Sequence, residues 1–281
     1  MSPTVRQREL GARLRELRTG LGLSEDDVAT RLPCSPTQIR EIEVGARHAT
    51  PREIMDLCQA YGLSKPETDA LVDLSRQAHE PGWWTHYEDL KLSPYIGFEH
   101  GATAITVFST YWVPALMQTE SYARAMIIGI ARQIDPTILQ YRIEARLRRQ
   151  ELLDGEQPPH YRALVDEAVL HRRVGGGSVM AEQLDKVLRL THDGKAAVQV
   201  IPFAVGAHAS ADSNFEFLEF GDPAPPMVFV EGLYSNLYQE RQAEIDRYRE
   251  AIQYLGEQSL SPQDSLDLIA DIKNTHARAS S

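Results

Sequence analysis

Only two of the 281 residues are cysteine, Cys34 and Cys58. That is too few for a disulfide framework, which excludes the small stapled secreted folds and points to a reducing compartment. No CxxC surrounds either one, so a turn residue and a core residue are expected rather than a redox pair. Long apolar runs are missing as well. The most apolar stretch, Ala104 to Met117, contains Thr106, Ser109 and Thr110 and is interrupted by Pro114. It is too short and too polar to span a bilayer. The opening MSPTVRQREL has no apolar core of the signal-peptide kind. A cytoplasmic chain without a membrane partner is the expectation. The nine histidines show no HExxH or other zinc spacing. There is no GxxxxGK motif, no GxGxxG and no GxSxG elbow. No metal, no cofactor and no catalytic residues are expected, and the chain is read as a non-enzyme.

Lysine is absent from the first 52 residues, where nine Arg stand against seven acids. The rest of the chain holds 20 basic and 33 acidic residues, and the whole carries a net charge of −11. Such a total argues against a general nucleic-acid coat, though the distribution softens that. The modest positive charge sits entirely at the N-terminus. The apolar share of 42% is that of a folded protein, and the length suits one large domain or two unequal ones.

The first eighty residues read as five short helices. Leu10, Leu14, Leu17 and Leu21 share one helical face, and Gly20 and Gly22 end that helix. Ser24 is a good N-cap followed by Glu25, Asp26 and Asp27, with Val28, Ala29 and Leu32 inward and Pro33 as the stop. Ser35-Pro36-Thr37-Gln38 fits a capping box, with Ile39 and Ile42 inward and Gly45 as the terminating glycine. Thr50-Pro51-Arg52-Glu53 opens a fourth helix and Ser64-Lys65-Pro66-Glu67 a fifth.

Pro81-Gly82-Trp83-Trp84 marks a break. Beyond it come helices at about 119–131, 135–155 and from Ser178. Strand-like runs follow at Ala197–Ile201, Asn214–Phe220 and Met227–Glu231, and two helices close the chain. The expected fold is mixed: an all-α N-terminal bundle over 1–80, a linker over 81–100, and an α+β domain over 101–281 with a small antiparallel sheet.

The helices Ser24–Leu32 and Ser35–Val44 are joined by a turn too tight for parallel packing. This is a helix-turn-helix: the first helix crosses the phosphate backbone and the second enters the major groove. Arg47, just past the second helix, is placed to clamp a phosphate, and Thr37 to touch a base edge or a thymine methyl. Arg40 points away from the Ile39/Ile42 face, toward phosphate or solvent. Gln38 is drawn two ways, back to the Ser35 amide as a cap or outward as a reader.

The segment from LGARLRELRTGLGLSEDDVATRLPCSPTQ to LCQAYGLS resembles the helix-turn-helix domain of the xenobiotic-response-element (XRE) regulators, relatives of the phage repressors. VPALMQTESYARA, RQELLD, VDEAVLHRRVGGGSVMAEQLDKVL and VQVIPFAVGAHA resemble the C-terminal domain of actinobacterial, WhiJ-like regulators of that type. The resemblance implies a structural salt bridge between Arg18 and Glu43. It implies base-edge positions at Thr37 and Glu41, with backbone or base contacts from Ser35, Gln38, Arg40, Arg47 and His48. It also implies double-stranded operator DNA as partner, a homodimer, and a short companion protein encoded nearby in an antitoxin-like arrangement. Three residues depart from the family pattern. Glu25 stands where Gln is frequent, Pro36 cannot hydrogen-bond a base, and Glu41 can accept from cytosine but cannot pair with guanine. The alternative reading is therefore an interaction module whose base readout has degenerated.

Other features have plain readings beside sharp ones. Trp83, Trp84 and Trp112 could line an effector pocket, though packing is the commoner use. Arg142, Arg146, Arg148 and Arg149 could meet an acidic partner, though a solvated helix face is commoner. Gly175–Gly177 could cradle an anion, though a flexible turn is the better bet.

Overall fold

The structure is a computed structural model describing residues 5–87, 93–131, 133–210, 213–232 and 235–279. It divides into two compact units, 1–102 with 220–225, and 103–219 with 226–281.

In the first unit, five helices form a bundle: α1 (Val5–Gly20), α2 (Glu25–Ala29), α3 (Pro36–Glu43), α4 (Pro51–Tyr61) and α5 (Lys65–Ala78). Their inner faces meet in a core of Leu10, Leu14, Val28, Ile39, Ile54, Leu57 and Cys58. Burying such side chains is worth about 1.5–3 kcal/mol each. Leu21, expected on the inner face, is 52% exposed, because α1 stops at Gly20 and Gly22 turns left-handed. The second helix is also shorter than expected: it ends at Ala29, and the chain tightens there into a turn in which Arg31 N donates to Val28 O at 3.0 Å.

The expected linker 81–100 carries structure. A 3-10 turn spans Trp83–Tyr87, and α6 spans Ser93–Gly101 and buries Tyr95, Ile96 and Phe98. Residues 88–92 of that stretch lie outside the described residues.

The second unit holds β1 (Ala104–Ser109), α7 (Glu120–Ile130), α8 (Pro136–Gln150), β2 (His160–Asp166), α9 (Ala168–His171) and α10 (Gly177–His192). After these come β3 (Ala197–Ile201), β4 (Phe215–Glu219), β5 (Met227–Val230), β6 (Leu237–Gln239), α11 (Gln242–Gln258) and α12 (Pro262–Arg278). The fold class is the mixed one expected, but the small antiparallel sheet is corrected to a six-stranded mixed sheet of order β3-β2-β1-β4-β5-β6. Its first three strands run parallel, joined by helical crossovers, and only β4–β6 are antiparallel. The strands β1 and β2 escape a period-2 reading because they lie inside the sheet: Val107 and Phe108, like Ala163, Leu164 and Val165, are buried on both faces. One face packs Phe108, Leu164, Phe217 and Val228 against Ile245 and Leu255 of α11. The edge strand β3 is covered. Val200 donates to Ser265 Oγ at 3.0 Å and accepts from Leu260 N at 2.8 Å. Among the described residues no helix is long and apolar enough to cross a membrane.

Candidate nucleic-acid interface

Both helices of the motif start on closed capping boxes. Ser24 N donates to Asp27 Oδ2 at 2.8 Å while Asp27 N donates to Ser24 Oγ at 3.1 Å. Ser35 N donates to Gln38 Oε1 at 2.9 Å while Gln38 N donates to Ser35 Oγ at 3.2 Å. Gln38 therefore spends its side chain on the cap, and of its two readings the structure shows this one. The end of α3 is fixed by Gly45, whose φ of +69° is open to glycine and strained for other residues.

Two contacts hold α3 against α1. Arg18 Nε and Nη2 meet Glu43 Oε1 and Oε2 at 2.6 and 2.8 Å, and Arg18 Nη1 donates to Leu23 O at 2.7 Å. The hydrogen bonds that Arg18 donates to Glu43 raise the guanidinium above its ordinary value against the opposing effect of burial. One side chain thus ties α1, the turn before α2 and the last turn of α3. The second contact is Gly11. A Cβ there would stand 2.5 Å from both Ile42 O and Glu43 O, so α3 can approach this closely only over glycine. Sequence reading passed over Gly11, since a mid-helix glycine carries no local signal of what crosses it.

Across the outer face the candidate residues separate. Thr37 is exposed, and its hydroxyl has no protein partner among the described residues. Ser35 is exposed at the N-cap. Glu41 is half-buried, its carbonyl accepting from Ala46 N and Arg47 N at 2.8 and 3.1 Å. Arg40 is engaged by Glu25, with Nε and Nη2 at 3.0 and 2.5 Å from Oε2. Arg47 is engaged by Glu53. His48 turns toward His79, ring centroids 4.9 Å apart, and its Nδ1 is buried without a partner. Arg52, in the first turn of α4, is exposed and has no partner among the described residues. It was missed because its sequence context reads only as a capping box.

The acids respond to these pairs. The hydrogen bond from Arg40 holds the Glu25 carboxyl below its ordinary value. Burial pushes Glu53 up, but hydrogen bonds from Arg47 and Thr50 outweigh it, so that carboxyl too sits low. Both acids are charged at neutral pH, and each engages a guanidinium of the same bundle.

The remaining features fall mostly to structure. Cys34 is half-buried, and Cys58 lies in the core. Arg172 stacks over Trp112 at 5.6 Å. The basic cluster on α8 is not one solvated face: Arg149 is buried and Arg146 donates to Gln118 Oε1 at 2.8 Å. Gly175 and Gly176 take positive φ ahead of α10. Asp166 meets His208 Nε2 at 3.2 Å, and Glu167 accepts from Phe203 N at 2.8 Å. These side chains fasten residues 202–208 to the end of β2. No group of three or more His, Cys, Asp or Glu is arranged to hold a metal ion among the described residues.

Residues 92–271, well over half of the chain, match the family described as Domain of unknown function (DUF5753). Residues 9–71 match the family described as Helix-turn-helix domain. No curated protein and no solved structure matches the chain. The second match agrees with the α2–α3 geometry and makes DNA a partner of the first unit.

Proposed function

The chain belongs to the DUF5753 family and carries a helix-turn-helix domain ahead of that family's own domain, and from this we propose that it is a sequence-specific transcriptional regulator. The observation that carries the reading is α3 itself: capped, seated on Gly11, and presenting an exposed Thr37 in its first turn. In this reading α3 lies in the major groove, Thr37 and Glu41 meet base edges, and Ser35, Arg40, Arg47 and Arg52 meet the backbone. A two-fold dimer doubles those contacts and fixes the half-site spacing. The C-terminal domain takes an effector or a short companion protein. A basic partner suits the acid excess of residues 53–281. No catalytic step is assigned to either unit, and a cytoplasmic location follows from the DNA target.

A second reading, an interaction module of antitoxin-like kind with degenerate DNA binding, is favoured by one observation: Arg40 and Arg47 are both engaged by carboxylates of the same bundle.

Anisotropy titration against the DNA upstream of the chain's own gene separates the two. The regulator reading expects tight binding that survives unrelated competitor DNA and weakens steeply with salt. Thr37→Ala should relax sequence preference, and Arg52→Ala should weaken binding to all sequences alike and flatten the salt slope by about 1. Binding that is absent, or lost equally to any DNA, supports the interaction module.

A further inference from the structure

Between β3 and β4 the chain leaves the edge of the sheet and re-enters past its middle. In the order β3-β2-β1-β4, β4 lies beyond both β2 and β1. The strands β1, β2 and β3 run parallel and β4 runs against β1, so both ends of this connection stand at the carboxyl ends of the parallel strands. Residues 202–210 therefore cross the end of β2 and reach that of β1, where the His208 ring stands edge-on to Phe108 at 5.7 Å. The crossovers from β1 to β2 to β3 step one way along the sheet, and β4 falls on the other side of β1. In open sheets of parallel strands, such a switch of direction at the carboxyl ends is where ligands bind.

This crossing is held by side chains rather than by a ladder. Among the described residues, the backbone–backbone bonds of 203–210 are local: Val205 N to Pro202 O at 3.0 Å, Gly206 N to Phe203 O at 3.1 Å and Ser213 N to Ser210 O at 3.0 Å. Two neighbouring acids at the end of β2 act as clasps. Glu167 Oε2 accepts from Phe203 N at 2.8 Å, and its Oε1 meets His171 Nε2 at 3.1 Å. The His171 ring in turn stacks on Phe203, centroids 5.6 Å apart. Asp166 Oδ2 meets His208 Nε2 at 3.2 Å, while its Oδ1 accepts from Ala168 N at 2.7 Å and so fixes the acid itself.

Apolar anchoring is slight. Val205 and Ala209 pack on the core and are partly buried, whereas Phe203 is 56% exposed. Gly206 and Ser210, at φ +70° and +61°, bracket the His208 clasp with left-handed backbone, uncommon for a residue with a side chain. A segment with few buried apolar contacts and no ladder bonds opens at a fraction of the free energy of global unfolding. Beneath it lie Phe108 and Phe215, both buried, their rings 5.6 Å apart.

We propose that residues 202–210 form a strap that lifts as a unit from the carboxyl ends of β1 and β2. Glu167 and Asp166 are its clasps, and lifting bares the Phe108 end of the core while the sheet stays folded. The strap gives the second unit a closed and an open form at the end of the sheet where a ligand would enter. It concerns the second unit alone and does not rest on the DNA-binding reading.

The test is limited chymotrypsin digestion of the full chain without DNA, with the cuts read by mass spectrometry. A protease takes its bond in extended form, so cleavage after Phe203 counts lifted straps, and its rate follows their population. Glu167→Ala releases one clasp. His208→Phe keeps a ring against Phe108 and releases the other. In the parent, the cut after Phe203 is expected well ahead of any cut after Phe108, Phe215 or Phe217. Each variant should speed it by roughly fivefold to tenfold, the loss of one hydrogen-bonded clasp, with the urea unfolding midpoint unchanged. Cuts after the buried phenylalanines at the same rate as the cut after Phe203 overturn the strap, because opening would then be unfolding. So does a faster cut matched by a lowered midpoint. An unchanged rate in either variant overturns the two-clasp arrangement.

Discussion

Arg40 Nη2 lies 2.5 Å from Glu25 Oε2, so the first helix of the motif holds a cation of the second. Two consequences oppose each other. The pair fixes the α2–α3 crossing at the surface, where water screens such a bond and leaves it little net worth. On the proposed docking of α3 it also places a carboxylate beside the DNA backbone. Repulsion at that distance and the loss of a phosphate contact outweigh so small a gain, and Glu25→Gln is expected to tighten DNA binding. If Arg40 then takes a phosphate, the slope of log affinity against log salt should steepen by about 0.9. Thermal unfolding should barely move. Salt titrations of the two proteins on one operator fragment decide it. An unchanged slope would place Arg40 away from the DNA.

Arg18 and Glu43 form the opposite kind of pair, with side chains 8% and 3% exposed. Here neither charge can fall back on water. Glu43→Ala strands the guanidinium and is expected to cost about 3–5 kcal/mol, whereas Arg18→Met with Glu43→Leu should recover most of it. Urea unfolding of the single and double variants gives the comparison. A single variant within 1 kcal/mol of the parent, a bound set by ordinary surface pairs, would mean that the pair contributes little.

Gly11→Ala sets two effects against each other. Alanine gains about 1 kcal/mol in a helix interior. Its Cβ would meet two backbone carbonyls of α3 at 2.5 Å, and backbone cannot swing aside as a side chain can. Overpacking of this kind costs about 1–3 kcal/mol and here moves the reading helix. The expected outcome is a domain that still folds, at lower stability, and binds operator at least tenfold more weakly. Gly20→Ala, where a Cβ meets nothing within 4 Å, is the control and should bind as the parent does. Equal operator affinity for the two variants would show that α3 does not depend on the Gly11 seat.

What could be read in advance follows from how far apart the cooperating residues are. Ser24 with Asp27, Ser35 with Gln38 and Thr50 with Glu53 act within one turn of chain, and their spacing announced the helix starts. Thr119, Asp135 and Ser261 opened helices for the same reason. The Arg40–Glu25 pair joins two helices, and the Gly11 seat joins residues more than thirty positions apart, so no local pattern contains them. Strand β2 was hidden differently. Its Ala163-Leu164-Val165 run is apolar on both faces because β1 and β3 flank it, and a buried strand of that kind shows no alternation. Without β1 and β2, the runs at 197–230 could only look antiparallel.

His48 makes the first unit sensitive to acid. Burial pushes its ring below the ordinary 6.5, and the adjacent His79 adds to that. The unfolded chain takes up the proton at the ordinary value, and the folded bundle only at lower pH. In the window between, the unfolded state binds more protons, so stability must fall as pH falls below about 6.5. The carboxylates Glu25, Asp27, Glu53 and Glu67, all held low, push in the same direction but only below about 4.5. His100, also lowered by burial, shares the His48 window. His48→Phe keeps a ring against His79 and removes a buried nitrogen that has no partner. It should leave stability at about pH 7.5 equal or higher and flatten the loss between there and about pH 5.5, the residue of the slope belonging to His100. Urea unfolding at the two pH values measures it. A slope as steep as the parent's would move the sensitivity from His48 to another group.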